Sequence, residues 1–135
     1  MEFGIVLVAH GGLAREFLAA VEHVMGPLDG VRAISIEADY DRAEKWEEIR
    51  RAADSVDIGA GVCLVVDLHG SSPANLCQAV RGPSARHILT GANVPMLLKL
   101  AQSRHLPLDI AVAAAVTSGR KYIDGREMGP GEVCS

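Results

Sequence analysis

Two short segments of the chain carry polar residues whose types and spacing suit chemistry. The first is Ala9-His10-Gly11-Gly12, and the second runs from Asp67 to Pro73. A neutral imidazole has one free lone pair and one N–H group. A carboxylate that accepts this N–H fixes which ring nitrogen stays free, and it stabilises the positive charge that grows as that nitrogen attacks phosphorus. We therefore predict that His10 accepts and passes on a phosphoryl group while Asp67 orients its ring.

The residues around this pair suit an anion. Glycines after His10 let the backbone of another molecule approach closely. Ser72-Pro73 is typical of a helix start, with Ser72 as the N-cap and Pro73 at the first helical position. Free N–H groups at the start of a helix bind anions. Gly11, Ser71 and Ser72 are thus predicted to contact the phosphoryl oxygens, although each feature taken alone also fits a purely structural role.

Hydrophobic periodicity predicts strands that alternate with helices. The predicted strands cover residues 3–9, 31–36, 62–66 and 87–90, and helices are expected to begin near residues 13, 41, 72, 94 and 109. The last helix is predicted to end at Tyr122. This alternation is typical of an α/β fold, here a doubly wound and mainly parallel sheet of order 2-1-3-4 with helices on both faces. We expect one domain over residues 1–135.

The predicted sheet places the two polar segments side by side. Ligands of such sheets gather outside the carboxyl ends of the strands, near the point where the strand order reverses. His10 follows the first predicted strand and Asp67 follows the third. Because these two strands are neighbours in the order 2-1-3-4, the two side chains are expected to face each other across one crevice.

Three segments resemble the signatures of a known family. Residues 4–11, Gly-Ile-Val-Leu-Val-Ala-His-Gly, resemble the opening of the mannose-family enzyme IIA proteins of the bacterial phosphotransferase system. Residues 67–75 are similar to their second signature, Asp-Leu-aromatic-Gly-Gly-Ser-Pro-x-Asn. Residues 90–97 resemble the third, Thr-Gly-x-Asn-hydrophobic-Pro-Met-Leu. The three occur in family order and together span most of the chain.

The resemblance implies a phosphohistidine carrier of that system. His10 would be phosphorylated, Asp67 would orient its ring, and Ser72 would contact the phosphoryl group. The donor would be phosphorylated HPr, which enzyme I charges from phosphoenolpyruvate. The acceptor would be a IIB component in sugar uptake, and no cofactor is implied.

The resemblance also implies a rim and a dimer. Asn93 and Pro95 would shape the rim of the crevice, together with His69. Family members are homodimers that exchange a C-terminal strand, so the segment after Tyr122 is expected to pair with the sheet of a partner.

Two residues depart from the family pattern. His69 stands where the family has an aromatic residue, and Ser71 stands where it has a second glycine. His69 either replaces one planar ring by another, which we favour, or acts as a pH-sensitive neighbour that tunes His10. Ser71 raises a question about the local backbone, because serine tolerates a positive φ poorly.

Charge, cysteine spacing and the lengths of the apolar stretches disfavour several other classes of protein. The net charge is −4 and no dense cluster of Lys and Arg occurs, which disfavours nucleic-acid binding. Three cysteines without a C-x-x-C spacing disfavour a disulfide framework and fit a reducing cytoplasm. No signal peptide is recognised, and no apolar stretch reaches the roughly 20 residues that cross a bilayer. We expect a cytoplasmic protein that at most docks peripherally on a membrane permease.

Two alternatives remain open at this point. The protein could be a stand-alone regulatory relay whose phosphorylation state a partner reads, because such a relay would use the same His10 site. It could also be an enzyme in which His10, Asp67 and His69 bind zinc or iron, since imidazole and carboxylate suit these metals. A nucleotide-dependent enzyme fits poorly, because neither the phosphate-binding loop motif nor the dinucleotide motif occurs.

Overall fold

Four strands form one parallel sheet in the computed structural model, which describes residues 1–131. The strands are β1 (Gly4–His10), β2 (Val31–Ile36), β3 (Val62–Val66) and β4 (Arg86–Thr90). Their order in the sheet is β2-β1-β3-β4, and all three pairings are parallel. The predicted order is therefore confirmed. His10, which was placed after the first strand, is its last residue.

Five helices cover the two faces of this sheet. They are α1 (Leu13–Met25), α2 (Arg42–Ser55), α3 (Ser72–Gln78), α4 (Val94–Gln102) and α5 (Leu108–Lys121). Helices α1, α4 and α5 pack on one face, and α2 and α3 pack on the other. All five were predicted. The last helix, α5, begins and ends one residue earlier than expected. The N-cap residue of α3 also differs from the predicted one, as described below.

The two central strands are buried on both faces, which fixes their register. Every residue of β3 is buried, and so is every residue of β1 except His10. Alternate side chains of β1 pack on opposite faces, with Leu7 in one core cluster and Val8 in the other. A slip by one residue would exchange these faces, so the pairing of Val8 with Val66 is strongly specified. This pairing sets the level at which the residues after each strand emerge.

The chain after α5 carries no helix or strand in residues 122–131. Three of its apolar side chains, Tyr122, Ile123 and Met128, are exposed. The strand predicted to exchange with a partner is thus not formed within the described part of a single chain, and the exchange stays a prediction. Cys134 lies outside the described residues. No helix in the described range is long and apolar enough to cross a membrane.

Candidate functional site

His10 and Asp67 meet at the carboxyl ends of β1 and β3, as the sequence predicts. The ring Nδ1 of His10 lies 2.9 Å from Oδ2 of Asp67. The backbone N–H of His10 donates to the same oxygen, with an N···O distance of 3.1 Å. One carboxylate oxygen therefore holds both the main chain and the side chain of His10, which leaves the ring little freedom to rotate.

This contact decides which ring nitrogen is free. An ionised carboxylate can only accept hydrogen bonds, so the proton of the neutral imidazole lies on Nδ1 and the lone pair lies on Nε2. The His10 side chain is 49% exposed, whereas that of Asp67 is 9% exposed. About half of the His10 side chain is thus open to solvent, while the carboxylate that holds it is shielded from water.

The charge on Asp67 depends on its contact with His10. Burial, the largest single effect, raises the pKa of the Asp67 carboxyl, but the hydrogen bonds from the side chain and backbone of His10, the electrostatic interaction with His10 and a backbone hydrogen bond of Asp67 itself together lower it further. The net pKa is lowered from the ordinary value of 3.8. Within residues 1–131, the other oxygen, Oδ1, is buried without a hydrogen-bond partner. Compensation for burying this charge therefore falls largely on His10.

The two glycines after His10 leave open space on their side-chain side. Gly11 has a φ of +55°, and a Cβ atom added at Gly11 or Gly12 would meet no atom within 4 Å outside its own chain neighbours. Helix α1 begins at Leu13 with Gly12 as its N-cap, so no side chain caps its first N–H groups. The positive end of a helix dipole therefore opens three residues after His10.

The loop between β3 and α3 differs from the prediction in its cap. Ser71, not Ser72, is the N-cap of α3, and its hydroxyl accepts from the N–H of Ala74 at 3.3 Å. The same hydroxyl donates to the carbonyl of Leu68 at 2.8 Å. The positive φ in this loop belongs to Gly70, at +72°, and no residue other than glycine has one in the described range. Serine at position 71 therefore causes no backbone strain, and Ser72 is the exposed first residue of α3.

The three predicted rim residues have different surroundings. His69 is exposed, and its Nδ1 lies 3.3 Å from Oγ1 of Thr90 at the end of β4. Asn93 caps α4 through the N–H of Met96 and donates to the carbonyl of Gly119 in α5, so it joins two helices. Pro95 lies in the first turn of α4. Thr90 was not expected to contact a site residue, although it begins the third quoted signature.

The described part of the chain holds no cluster of metal-ligating side chains at the pair. Among residues 1–131, no group of three or more His, Cys, Asp or Glu side chains could hold a metal ion. Cys63 and Cys77 are buried in the core, where desolvation raises the pKa of each thiol to about 12. Both therefore pack as small apolar side chains.

Comparison with known proteins assigns the family. The family model EIIA-man, described as PTS system fructose IIA component, matches residues 4–116. The chain belongs to this family. It is therefore a IIA component of the phosphotransferase system, in agreement with the resemblance of its three signatures.

Individual relatives agree with this assignment. The IIA chain is 27% identical to the PTS system mannose-specific EIIAB component of Escherichia coli, covering 98% of the chain but only 42% of that relative. The PTS IIA protein associated with the fucose utilization operon of Streptococcus pneumoniae is 27% identical, with a TM-score of 0.75 over 87% of this chain and 91% of that one. The mannose/sorbose specific IIA subunit of Enterococcus faecalis, at 20% identity, shares the fold with a TM-score of 0.83, covering 99% of this chain and 100% of that one.

The lowered pKa of Asp67 predicts a pH-dependent contribution to stability. A carboxyl whose pKa is lower in the folded state stabilises the fold above its unfolded pKa, and this contribution disappears as the pH falls through the folded pKa. Asp67→Asn should therefore reduce the free energy of unfolding by a constant amount above about pH 5, with the difference shrinking below about pH 4. Urea unfolding of the wild-type and Asp67→Asn proteins across this pH range measures the difference in the free energy of unfolding. A difference that stays the same at every pH would contradict the ionised pairing.

Proposed function

We propose that this chain is a phosphohistidine carrier that accepts a phosphoryl group on Nε2 of His10 and passes it on. The observation that supports this most is the 2.9 Å contact between Nδ1 of His10 and Asp67, made by a ring that is half exposed. It gives a nucleophile with a defined lone pair, an orienting carboxylate and access for a partner protein.

Each transfer is a displacement at phosphorus. The Nε2 lone pair of His10 forms a bond to phosphorus while the bond between phosphorus and the histidine of phosphorylated HPr breaks. The ring then carries positive charge, which the nearby Asp67 carboxylate stabilises. In the second transfer, the acceptor attacks phosphorus and the electron pair of the breaking bond returns to Nε2. The steps require neither a nucleotide nor a metal ion.

The phosphoryl oxygens are proposed to meet donors from two helix starts. The uncapped first turn of α1 follows His10 through Gly11, which is open on its side-chain side. Ser72 offers an exposed hydroxyl at the start of α3. Ser71 would contact the phosphoryl group only if its hydroxyl released the carbonyl of Leu68, so we assign the serine contact to Ser72.

The proposed partners follow from the family. We assign HPr as donor, a IIB component as acceptor, sugar uptake as the process and the cytoplasm as its place. The mannose-specific relative from Escherichia coli is named as an EIIAB component, and this chain matches less than half of its length. The identity of the sugar is not part of the proposal.

Phosphorylation of His10 can be tested directly. Incubation with enzyme I, HPr and phosphoenolpyruvate should give one acid-labile phosphoryl group per chain, and His10→Ala should abolish it because the attacking nitrogen is gone. His23→Ala is the matched control, since His23 is an exposed histidine of α1 far along the helix from its start. Label that persists in His10→Ala would refute the assignment.

Replacing Asp67 should slow phosphoryl transfer in a protein that still folds, although it is less stable. Asp67→Ala removes the acceptor that orients the ring and stabilises its charge, so we expect phosphoryl transfer to slow by about 2–4 kcal/mol of transition-state stabilisation. Rapid-quench measurement of transfer from phosphorylated HPr reports this effect, with circular dichroism as the check on folding. Equal rates for the two proteins would show that the two side chains do not cooperate.

A homodimer is the second part of the proposal, and the edge strand β4 supports it. Strand β4 hydrogen-bonds to β3, and within the described chain its other edge has no strand partner. Clefts of about 310 Å³ and about 290 Å³ flank it, one lined by Leu64 and Val80 and the other by Met96, Val116 and Ile123 of the same chain. An exchanged strand with the exposed apolar side chains of residues 122–128 would cover this edge.

Sedimentation velocity tests the dimer. The wild-type chain should sediment as a dimer at micromolar concentration, and Ile123→Asp should shift it towards monomer by placing a charge in the interface. Ile58→Asp is the control, because Ile58 is also exposed but lies in the turn after α2. A wild-type protein that is only monomeric, or equal effects of the two variants, would contradict the proposed exchange.

A further inference from the structure

The loop that carries Asp67 is attached to strands on both of its sides. We call residues 67–71, which join β3 to α3, the Asp67 loop. On one side Asp67 binds His10, the last residue of β1. On the other side His69 binds Thr90, the last residue of β4. Because β3 lies between β1 and β4, one contact attaches the loop to β1 and the other attaches it to β4.

The middle of this loop has little else to hold it. Leu68, His69 and Gly70 are all exposed, and Gly70 adopts a left-handed conformation. The hydroxyl of Ser71 donates to Leu68, which closes the loop on itself but does not attach it to the sheet. Within residues 1–131, the hydrogen bond between His69 and Thr90 is therefore the contact that ties the middle of the loop to a strand.

From this geometry we infer that His69 is a positioning residue for His10, acting through Thr90 and the Asp67 loop. With its middle tied to β4, the loop cannot swing away from the sheet, and the Asp67 carboxylate stays against both donors of His10. The inference concerns the orientation of the ring and rests on the proposed function only where transfer rates are measured.

The atoms involved indicate matched substitutions. The bonded atom of His69 is Nδ1, and the amide of an asparagine can occupy nearly the same position, whereas leucine fills similar space without a polar atom. A threonine hydroxyl both donates and accepts, so either tautomer of His69 can bind it. Serine keeps the hydroxyl of Thr90, and valine keeps its β-branched shape but removes the hydroxyl. These four substitutions separate the hydrogen bond from the shape of each side chain.

The orientation of His10 can be measured without any phosphoryl donor. Nitrogen NMR spectroscopy of the unphosphorylated full chain gives the fraction of the His10 ring that carries its proton on Nδ1. This fraction should stay at the wild-type value in His69→Asn and Thr90→Ser, and it should fall in His69→Leu and Thr90→Val. In the double variant His69→Leu/Thr90→Val this fraction should fall no further than in either single variant, because both substitutions remove the same contact.

Transfer rates provide the second readout. Phosphorylation by phosphorylated HPr should slow by about threefold to tenfold in the leucine and valine variants, the range expected for one lost hydrogen bond. The asparagine and serine variants should retain the rate. If His69→Leu and Thr90→Val keep the same fraction of His10 protonated on Nδ1 as His69→Asn and Thr90→Ser, His69 does not position the ring and the inference is wrong. If His10 is never phosphorylated, the proposed function fails, while the NMR comparison still decides the role of His69.

Discussion

The carboxylate of Asp67 accepts two hydrogen bonds at one oxygen, from the backbone N–H and from the ring Nδ1 of His10. Burial makes this charge costly, but these two bonds, the electrostatic interaction with His10 and a backbone hydrogen bond of Asp67 itself together lower the pKa of the carboxyl. Because Oδ1 has no hydrogen-bond partner within residues 1–131, the carboxylate relies on His10 as much as His10 relies on it. The ring is consequently held in one orientation, with its second nitrogen directed away from the acid.

This interaction depends on the register of two buried strands. Val8 of β1 lies opposite Val66 of β3, so His10 and Asp67 leave the sheet at nearly the same level. Both strands are covered on each face, which makes a shift of one residue energetically prohibitive. The positions that bring the acid to the histidine are thus fixed by side chains in the core. The loops after the strands supply the access, through Gly11 beside the ring and the exposed residues of the Asp67 loop.

The sequence was sufficient to predict the pairing of His10 with Asp67, because apolar runs mark the strand ends and the expected order 2-1-3-4 makes β1 and β3 neighbours. It was not sufficient to predict the cap of α3. Ser71 and Ser72 both suit an N-cap, and the choice depends on the left-handed turn at Gly70, which moves the start of the helix by one residue. The contact of His69 with Thr90 was missed for another reason: it joins the loop after β3 to the last residue of β4, and no local pattern indicates such a pair.

The central claim is that Asp67 leaves one particular nitrogen of His10 free to carry the phosphoryl group. Nitrogen and phosphorus NMR spectroscopy of the isotopically labelled chain, recorded after phosphorylation through enzyme I and HPr, identifies the bonded nitrogen. The account predicts phosphorus on Nε2 with the proton retained on Nδ1 against Asp67. Phosphorus on Nδ1 would contradict it, because that atom could not bind phosphorus and keep its hydrogen bond to the carboxylate.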